Sequence, residues 1–267
     1  MPRFKLTIEY AGTRYSGWQI QTNARTIAGE IERAVQTVTA RKDFELYGSG
    51  RTDAGVHALA QVAHLDVSTN LPPDTLRRRV NDELPADINI LDAVQVPHRF
   101  HARHNAEARR YLYQIARRRT AFSKAFVWWV KEPLDPEAMR DSARALVGMR
   151  DFRSFAEVER EEPGEPARST RVLIDRLDII EDGDLVLVGI EGSHFLWKMV
   201  RRIVGVLVEI GLGRLATDAT TRFLADASSA PARLTAPPSG LFLERVYYKG
   251  DRRDEAVRAA TPVVRRS

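Results

Sequence analysis

The stretch Tyr47–Ala58 reads Tyr-Gly-Ser-Gly-Arg-Thr-Asp-Ala-Gly-Val-His-Ala. Its glycines, Gly48, Gly50 and Gly55, let a backbone turn tightly or approach a ligand where a Cβ would clash. Between them stand one cation, Arg51, and one carboxylate, Asp53, with His57 four residues on. An apolar-leaning run, Phe44–Tyr47, leads in, and Val62–Val67 leads out, so the pattern is a loop with a charged pair at its tip, held between two strands. Familiar loop motifs do not fit. A phosphate loop needs Gly-Lys-Ser/Thr, and a dinucleotide loop needs a third glycine where Asp53 stands. A nucleophile elbow needs Gly-x-Ser-x-Gly, which Gly-Ser-Gly does not supply. On the residues alone, Asp53 either caps a polar turn or does chemistry.

Outward from this loop, composition sets the bounds. At 267 residues, the chain has room for one large domain or two small ones. With 43% hydrophobic and 29% charged residues, it has the make-up of a soluble globular protein. There is no cysteine, which excludes disulfides and thiolate metal sites and fits a reducing compartment. Met1–Tyr10 reads as a strand rather than a signal peptide, and the longest apolar run, Ile203–Ile210, contains Glu209 and is too short for a bilayer. A cytoplasmic location, away from membranes, is the expectation. Net charge is only +5, but the basic residues cluster. Seven arginines and a single acid, Glu107, lie between Arg99 and Arg119; Arg77–Arg79 and Lys198/Arg201/Arg202 form two further blocks. Segregated positive charge of this kind suits a polyanion, and Tyr111 and Tyr113 inside the first block favour nucleic acid over a merely solvated face.

Phe4–Tyr10 alternates as a half-buried strand, and Thr26 caps a helix with Ile27, Ile31, Ala34/Val35 and Val38 at helical spacing. Asp74 opens a short helix stopped by Pro85, and Ile88–Val96 is another strand. The first half therefore alternates α and β. His98, His101 and His104 do not make a metal site: Arg99 and Arg103 stand between them and no carboxylate joins them. Arg109–Ile115 alternates as a strand with Tyr111, Tyr113 and Ile115 on one face. Asp135 and Pro136 start a helix that Gly148 ends, and Arg171–Ile180 and Leu185–Glu191 form a hairpin. Glu157–Pro166, acidic and proline-bearing, reads as a mobile loop. Ser193–Gly211 reads as the most apolar helix, with Arg201 at the edge of its buried stripe, where a lone cation is costly. A last helix, Asp218–Ala227, precedes a terminal strand that runs to Tyr248, and Lys249–Ser267 reads as a disordered tail.

Gly-Arg-Thr-Asp-Ala-Gly-Val-His resembles the signature of the tRNA pseudouridine synthase A family. Gly17-Trp18-Gln19, Phe100-His101-Ala102-Arg103, Arg109-Arg110-Tyr111-Leu112-Tyr113 and Phe195-Leu196 with Met199-Val200-Arg201 resemble further family stretches, in family order from Lys5 to Tyr248. The departures are small: Ile27-Ala28-Gly29 replaces a usual Val-Gln on a helix that reads as remote from the chemistry, and Tyr47-Gly48-Ser49 varies the loop entry. The resemblance implies an α/β fold (α+β, mixed sheets), the pseudouridine synthase fold, with two similar subdomains and a basic cleft between them. Mapped on this chain, 1–104 would carry the catalytic loop, 105–248 the tyrosine strand and arginine helix, and 249–267 the tail. It also implies a homodimer acting on tRNA, without cofactor or metal, and targets at nucleotides 38, 39 and 40 of the anticodon stem-loop.

In the family, the Asp is the catalytic residue, which is Asp53 here; the Arg paired with it is Arg201; and the first Tyr of the strand, packing on the target base, is Tyr111. Tyr113 reads as structural support. Arg51 would fill the space left by an extruded base, which its planar guanidinium suits. Competing readings are a non-catalytic tRNA-binding protein or chaperone, and a glycosidase-like hydrolase. The latter needs a second carboxylate, for which Asp66 is the sole weak candidate.

Overall fold

The computed structural model describes residues 1–156 and 169–263; the acidic stretch Glu157–Pro166 lies outside the described residues. In chain order the strands are β1 (Arg3–Tyr10), β2 (Phe44–Gly48), β3 (His57–Val67), β4 (Ile88–Val96), β5 (Ala108–Ala116), β6 (Trp128–Trp129), β7 (Gly148–Asp151), β8 (Arg171–Asp182), β9 (Leu185–Gly192) and β10 (Leu241–Tyr247). The helices are α1 (Ile27–Thr39), α2 (Pro73–Glu83), α3 (Pro136–Ala143), α4 (Met199–Gly211), α5 (Ala219–Ala225) and α6 (Ala230–Arg233). The chain is mixed α/β and divides into two compact units, Met1–Glu107 with Phe242–Arg253, and Ala108–Leu241 with Asp254–Ser267.

In the first unit, β3 is the central strand. β1 runs antiparallel to it from Arg3↔Asp66 to Tyr10↔Ala58, and β4 lies antiparallel on the far side of β1. On the other edge of β3, β2 pairs with Ala63–Val67 and β10 runs parallel beside His57 and Ala58. Every second residue of β1 (Phe4, Leu6, Ile8, Tyr10) is buried, as alternation predicts for a half-buried strand. Ile31 and Val35 of α1 and Leu76 and Val80 of α2 are buried with them. Thr26 does cap α1, its hydroxyl accepting from the Gly29 N–H at 3.3 Å. The helix start near Asp74 differs slightly: α2 opens at Pro73, where a proline costs no hydrogen bond.

In the second unit, β5 pairs antiparallel with β9, β9 with β8 and β8 with β7, while the short β6 runs parallel to β5. Asp135 caps α3 as its sequence predicts, accepting from the Glu137 and Ala138 N–H groups. α4 starts at Met199, six residues later than the apolar spacing suggests. Lys198 adopts a left-handed φ of 59° at its N-cap, which breaks any helical run through Phe195 and Leu196.

Two expectations about the chain's later part are corrected. β10 from Phe242 onward belongs with the first unit rather than the second, because its ladder is to β3 and Phe242 stacks on His57 at 4.8 Å. The stretch after Lys249 is not a loose tail as far as Val263. Every residue of β9, and Leu112–Ala116 of β5, is buried, so these strands need cover on both faces. Residues 254–263 help provide it. Val257 and Val263 are buried, the Glu255 carbonyl accepts from Arg110 Nη1 at 2.7 Å, and the buried Gln114 amide bonds the Ala260 N–H and Thr261 Oγ1.

Candidate active site

Asp53 stands in the loop that joins β2 to β3. The base of the loop is closed by Gln61, fully buried on β3: its Oε1 accepts from Ser49 Oγ at 2.7 Å, and its Nε2 donates to the Gly50 carbonyl at 3.0 Å. At the top, the Asp53 carbonyl accepts from the Val56 N–H at 3.1 Å, a β-turn whose third residue is Gly55 at φ +78°. Asp53 therefore opens a turn, with its backbone tied and its side chain half-buried, and Arg51 is exposed two residues before it.

A second segment, 10–18, backs this loop. The Trp18 N–H donates to the Thr52 carbonyl at 3.0 Å, the Gly55 N–H donates to the Tyr15 carbonyl at 3.2 Å, and the Thr52 and Tyr10 hydroxyls share a bond of 2.8 Å. Gly17 sits behind Asp53 at φ +94°, and a Cβ there would stand 2.5 Å from the Thr52 carbonyl oxygen and 3.2 Å from the Asp53 carbonyl carbon. Only glycine allows both that backbone angle and that approach. His57 also acquires a role. Its Nδ1 accepts from the Gly12 N–H at 3.0 Å, which puts the neutral ring's proton on Nε2 and anchors segment 10–18 to the start of β3.

The start of α1, which reads from sequence as remote from the chemistry, completes this backing. The Ile27 and Ala28 N–H groups donate to the Gly17 and Trp18 carbonyls at 3.1 Å. These N–H groups have no partner within their own helix, so they find one in the segment that holds the Asp53 loop. Tyr15 is fixed in turn by its hydroxyl bond to Asp87 at 2.5 Å; burial and then that bond push its phenol well above the ordinary tyrosine range.

Tyr111 and Arg201 lie in the second unit. Tyr111 is on β5 opposite Ile190, half-buried, with its ring edge-on to Phe195 at 5.1 Å. Tyr113 is fully buried and donates from its hydroxyl to the Pro237 carbonyl at 2.7 Å; burial drives its phenol far above the usual range, against the opposing charge of Arg201. Arg201, in the first turn of α4, donates from Nε to the Ala236 carbonyl at 2.7 Å, and the Ala236 N–H returns a bond to the Arg201 carbonyl. Two consecutive carbonyls, Ala236 and Pro237, thus hold the arginine of α4 and the second tyrosine of β5. Gly205 lets that segment lie on the helix, since a Cβ there would be 1.6 Å from the Leu234 oxygen.

Two of the basic blocks are engaged with acids on their own surfaces. Arg77 and Arg78 both reach Asp74, Arg117 pairs with Glu181 at 2.5 Å, and Arg118 pairs with Asp184 at 2.6 Å. Two of the three histidines flagged in sequence pack against aromatic neighbours: His101 lies 4.7 Å from His64 and 4.2 Å from His104, ring to ring. Among the described residues, no group of three or more His, Cys, Asp or Glu is placed to hold a metal ion.

The family model for tRNA pseudouridine synthase matches residues 6–105 and 142–249. The chain belongs to that family. The first matched span contains Asp53 and the second Arg201, while Tyr111 falls between them. Among its relatives, the tRNA pseudouridine synthase A of Nitrobacter winogradskyi is 44% identical over 253 residues, covering 94% of this chain and 97% of the relative. That of Rhodopseudomonas palustris (strain BisA53) is 42% identical over 252 residues, covering 93% and 100%. A chain of the crystal structure of a Cbf5-Nop10-Gar1 complex matches 77% of this chain and 45% of its own length at TM-score 0.31 and 10% identity, too slight a likeness to carry an argument.

Proposed function

We propose that this isomerase of the tRNA pseudouridine synthase family converts uridine to pseudouridine at nucleotides 38, 39 and 40 of the tRNA anticodon stem-loop, with Asp53 as nucleophile. One observation carries the reading. A single carboxylate opens a turn whose backbone is fixed from segment 10–18 and from β3, on a loop with the family's motif. Such a carboxylate is positioned before substrate arrives, which is what an attacking group needs.

The overall change is redox-neutral. The N1–C1′ bond breaks, the uracil turns, a C5–C1′ bond forms, and the proton lost from C5 is balanced by one gained at N1. The base must leave its stack to be reached. Asp53 attacks the nucleoside at C1′ or C6, or takes the 2′-proton, and Arg201 pairs with its carboxylate and holds it in place. Tyr111 stacks on the uracil, and Arg51 occupies the space the base vacates. The family resemblance supports the roles of Asp53, Arg201 and Tyr111 and a homodimer, while the absence of cysteine fits the cytoplasm.

The test is Asp53→Asn, which keeps the shape of the side chain and removes the nucleophile. Incubated without cofactor with tRNA carrying radiolabelled uridine, the unaltered protein yields pseudouridine and the variant none, while tRNA affinity stays within a few-fold. Pseudouridine formed by pure Asp53→Asn protein would overturn the assignment. Unchanged RNA with the unaltered protein would leave a binding protein, and free uracil a hydrolase.

A further inference from the structure

The six residues that join β9 to α4, Ser193–Lys198, are fixed at both ends. The Ser193 N–H donates to the Leu173 carbonyl of β8 at 2.9 Å, and the Ser193 carbonyl accepts from Arg109 Nη1 of β5 at 3.0 Å. At the other end, the Met199 N–H donates to the Leu196 carbonyl at 3.1 Å, closing a turn whose third residue is Lys198 at φ 59° and ψ 4°. A lysine is strained in that left-handed conformation, which a glycine takes freely. The Arg202 N–H donates to the Lys198 carbonyl at 3.0 Å, so α4 begins directly after the turn. Phe195 lies between these fixed points, half-buried, with its ring centre 5.1 Å from that of Tyr111 and the two planes at 82°.

We propose that Phe195 is a positioning residue for Tyr111: it sets the plane in which the tyrosine ring meets the extruded uracil, and the left-handed turn at Lys198 delivers it there. The proposal rests on the role given to Tyr111 above, and it adds a residue that acts through the tyrosine rather than on the substrate. Phe195 stands four residues before Met199, which is followed at the same step by Ile203 and Leu207, and all three are fully buried. A helix begun at Ser193 would put Phe195 on that stripe. Lys198 breaks the helix first, and Phe195 stays half-buried against Tyr111 instead. Burial alone therefore does not account for its place. A strained turn that lowers burial persists where the surrounding structure enforces it, and such turns cluster at functional sites. The contact also has the right form. Perpendicular rings with centres about 4.5–7 Å apart are a preferred arrangement, and one such neighbour restrains the plane of the other ring. A strand side chain otherwise chooses among staggered rotamers, whereas a reacting base needs a partner held in one orientation. Tyr111 is itself half-buried, so part of its surface stays open to that base.

The experiment uses the full chain and tRNA carrying radiolabelled uridine; single-turnover rate at saturating protein, tRNA affinity and urea unfolding are read for each variant. Phe195→Leu keeps an apolar side chain without the ring, and should slow turnover about tenfold while tRNA affinity holds within about twofold. Phe195→Tyr keeps a ring and should stay within about threefold of the unaltered rate. In a Tyr111→Leu protein, Phe195→Leu should cost less than about twofold more, because the ring it positions is gone. Lys198→Gly and Lys198→Val remove the same ammonium, but only valine resists the left-handed angle, so the valine variant should turn over about tenfold more slowly than the glycine one. Undiminished turnover by Phe195→Leu, even with a lower unfolding midpoint, would overturn the proposal and leave Phe195 a packing residue. Equal losses in Phe195→Leu and Phe195→Tyr would overturn it too, as would a loss that recurs in full in the Tyr111→Leu protein, or equal turnover by the two Lys198 variants. If Tyr111→Leu shows no turnover, or Lys198→Val fails to fold, the comparison of leucine with tyrosine at 195 decides. A full rate in Tyr111→Leu would overturn the role of Tyr111 and this proposal together. No pseudouridine from the unaltered protein would overturn the proposed function itself, before any variant is compared.

Discussion

Replacing Gly17 with alanine tests the account of how Asp53 is held. The added Cβ would sit 2.5 Å from the Thr52 carbonyl oxygen, where ordinary contact begins at 3.4 Å, so the loop must yield by roughly 0.9 Å. Alanine at φ +94° adds about 1–2 kcal/mol of backbone strain. Displacing Thr52 also weakens the Trp18-to-Thr52 hydrogen bond, worth about 1 kcal/mol. Gly17→Ala should therefore cost about 2–3 kcal/mol of stability in urea unfolding. A shift approaching 1 Å at a reacting group lowers turnover by about 100-fold, whereas RNA affinity, set by side chains elsewhere, should stay within a few-fold. Single-turnover conversion of labelled tRNA, read beside a binding titration, separates the two effects. Gly50→Ala is the control for stability: a Cβ there meets nothing within 4 Å, and stability should hold within about 0.5 kcal/mol. Gly17→Ala protein with undiminished stability and turnover would refute the argument, because the loop could not then be pressed against residue 17.

Arg201→Met should lower both stability and turnover, with Arg201→Lys restoring only part, since a lysine lacks the second prong. Combined with Asp53→Asn, it should cost less stability than the two single changes summed; strict additivity in urea unfolding would remove Arg201 as the partner of Asp53. His64 is buried and accepts at Nδ1 from the Ala102 N–H at 3.2 Å; burial first, then the charge of Arg3, depresses its pKa to about 4. The unfolded chain protonates near 6.5, so the stability this neutral histidine supplies is present above that pH and is lost as pH falls toward 4. The loss should reach about 1–3 kcal/mol, opposed in part by Asp66, and His64→Asn should flatten the unfolding profile across that window. Ending the chain after Arg253 removes the Glu255 carbonyl from Arg110 and the Ala260 and Thr261 partners from Gln114. Each buried polar group so deprived costs about 1–3 kcal/mol, and hydrogen exchange should accelerate in β5 and β9 before it does in β1 and β3.

Local signals in this sequence were legible where one element decides its own form. The alternation of β1, the caps at Thr26 and Asp135, and the β8–β9 hairpin each depend on neighbours a few residues apart, and each appears where the pattern puts it. The late start of α4 was hidden because Phe195 and Leu196 continue the apolar spacing of the helix although both lie outside it and are only half-buried; the left-handed turn at Lys198 leaves no compositional mark. The C-terminal segment misled for a related reason. Its charge and low apolar content suggest disorder, yet Leu185–Val188 is an unbroken apolar run, which is the pattern of a strand covered on both faces. The demand for a cover was therefore in the sequence, about seventy residues from the segment that answers it.

The candidate site divides along the same line. The glycines around Asp53 announce a loop, but not what presses on it. The hydrogen bonds that fix it come from Tyr10, Tyr15 and Trp18, and the first N–H groups of α1 hold that segment in place, so a substitution at Ile27 or Ala28 acts on the loop through one intermediate. Charge was misleading in its own way. A run of arginines in sequence is not a positive surface when the fold brings acids to it, and Asp74, Glu181 and Asp184 do this for the Arg77 and Arg117 blocks. Exposed pairs of this kind contribute little to stability, about 0–1 kcal/mol each, but they shorten the reach of the local field. The Lys198 block meets a fourth cation, Arg153, from another part of the chain, and Arg153 is itself paired with Asp151. Attraction for a polyanion follows the three-dimensional arrangement of cations and acids together, so the salt dependence of RNA binding is set by the fold and not by the length of an arginine run.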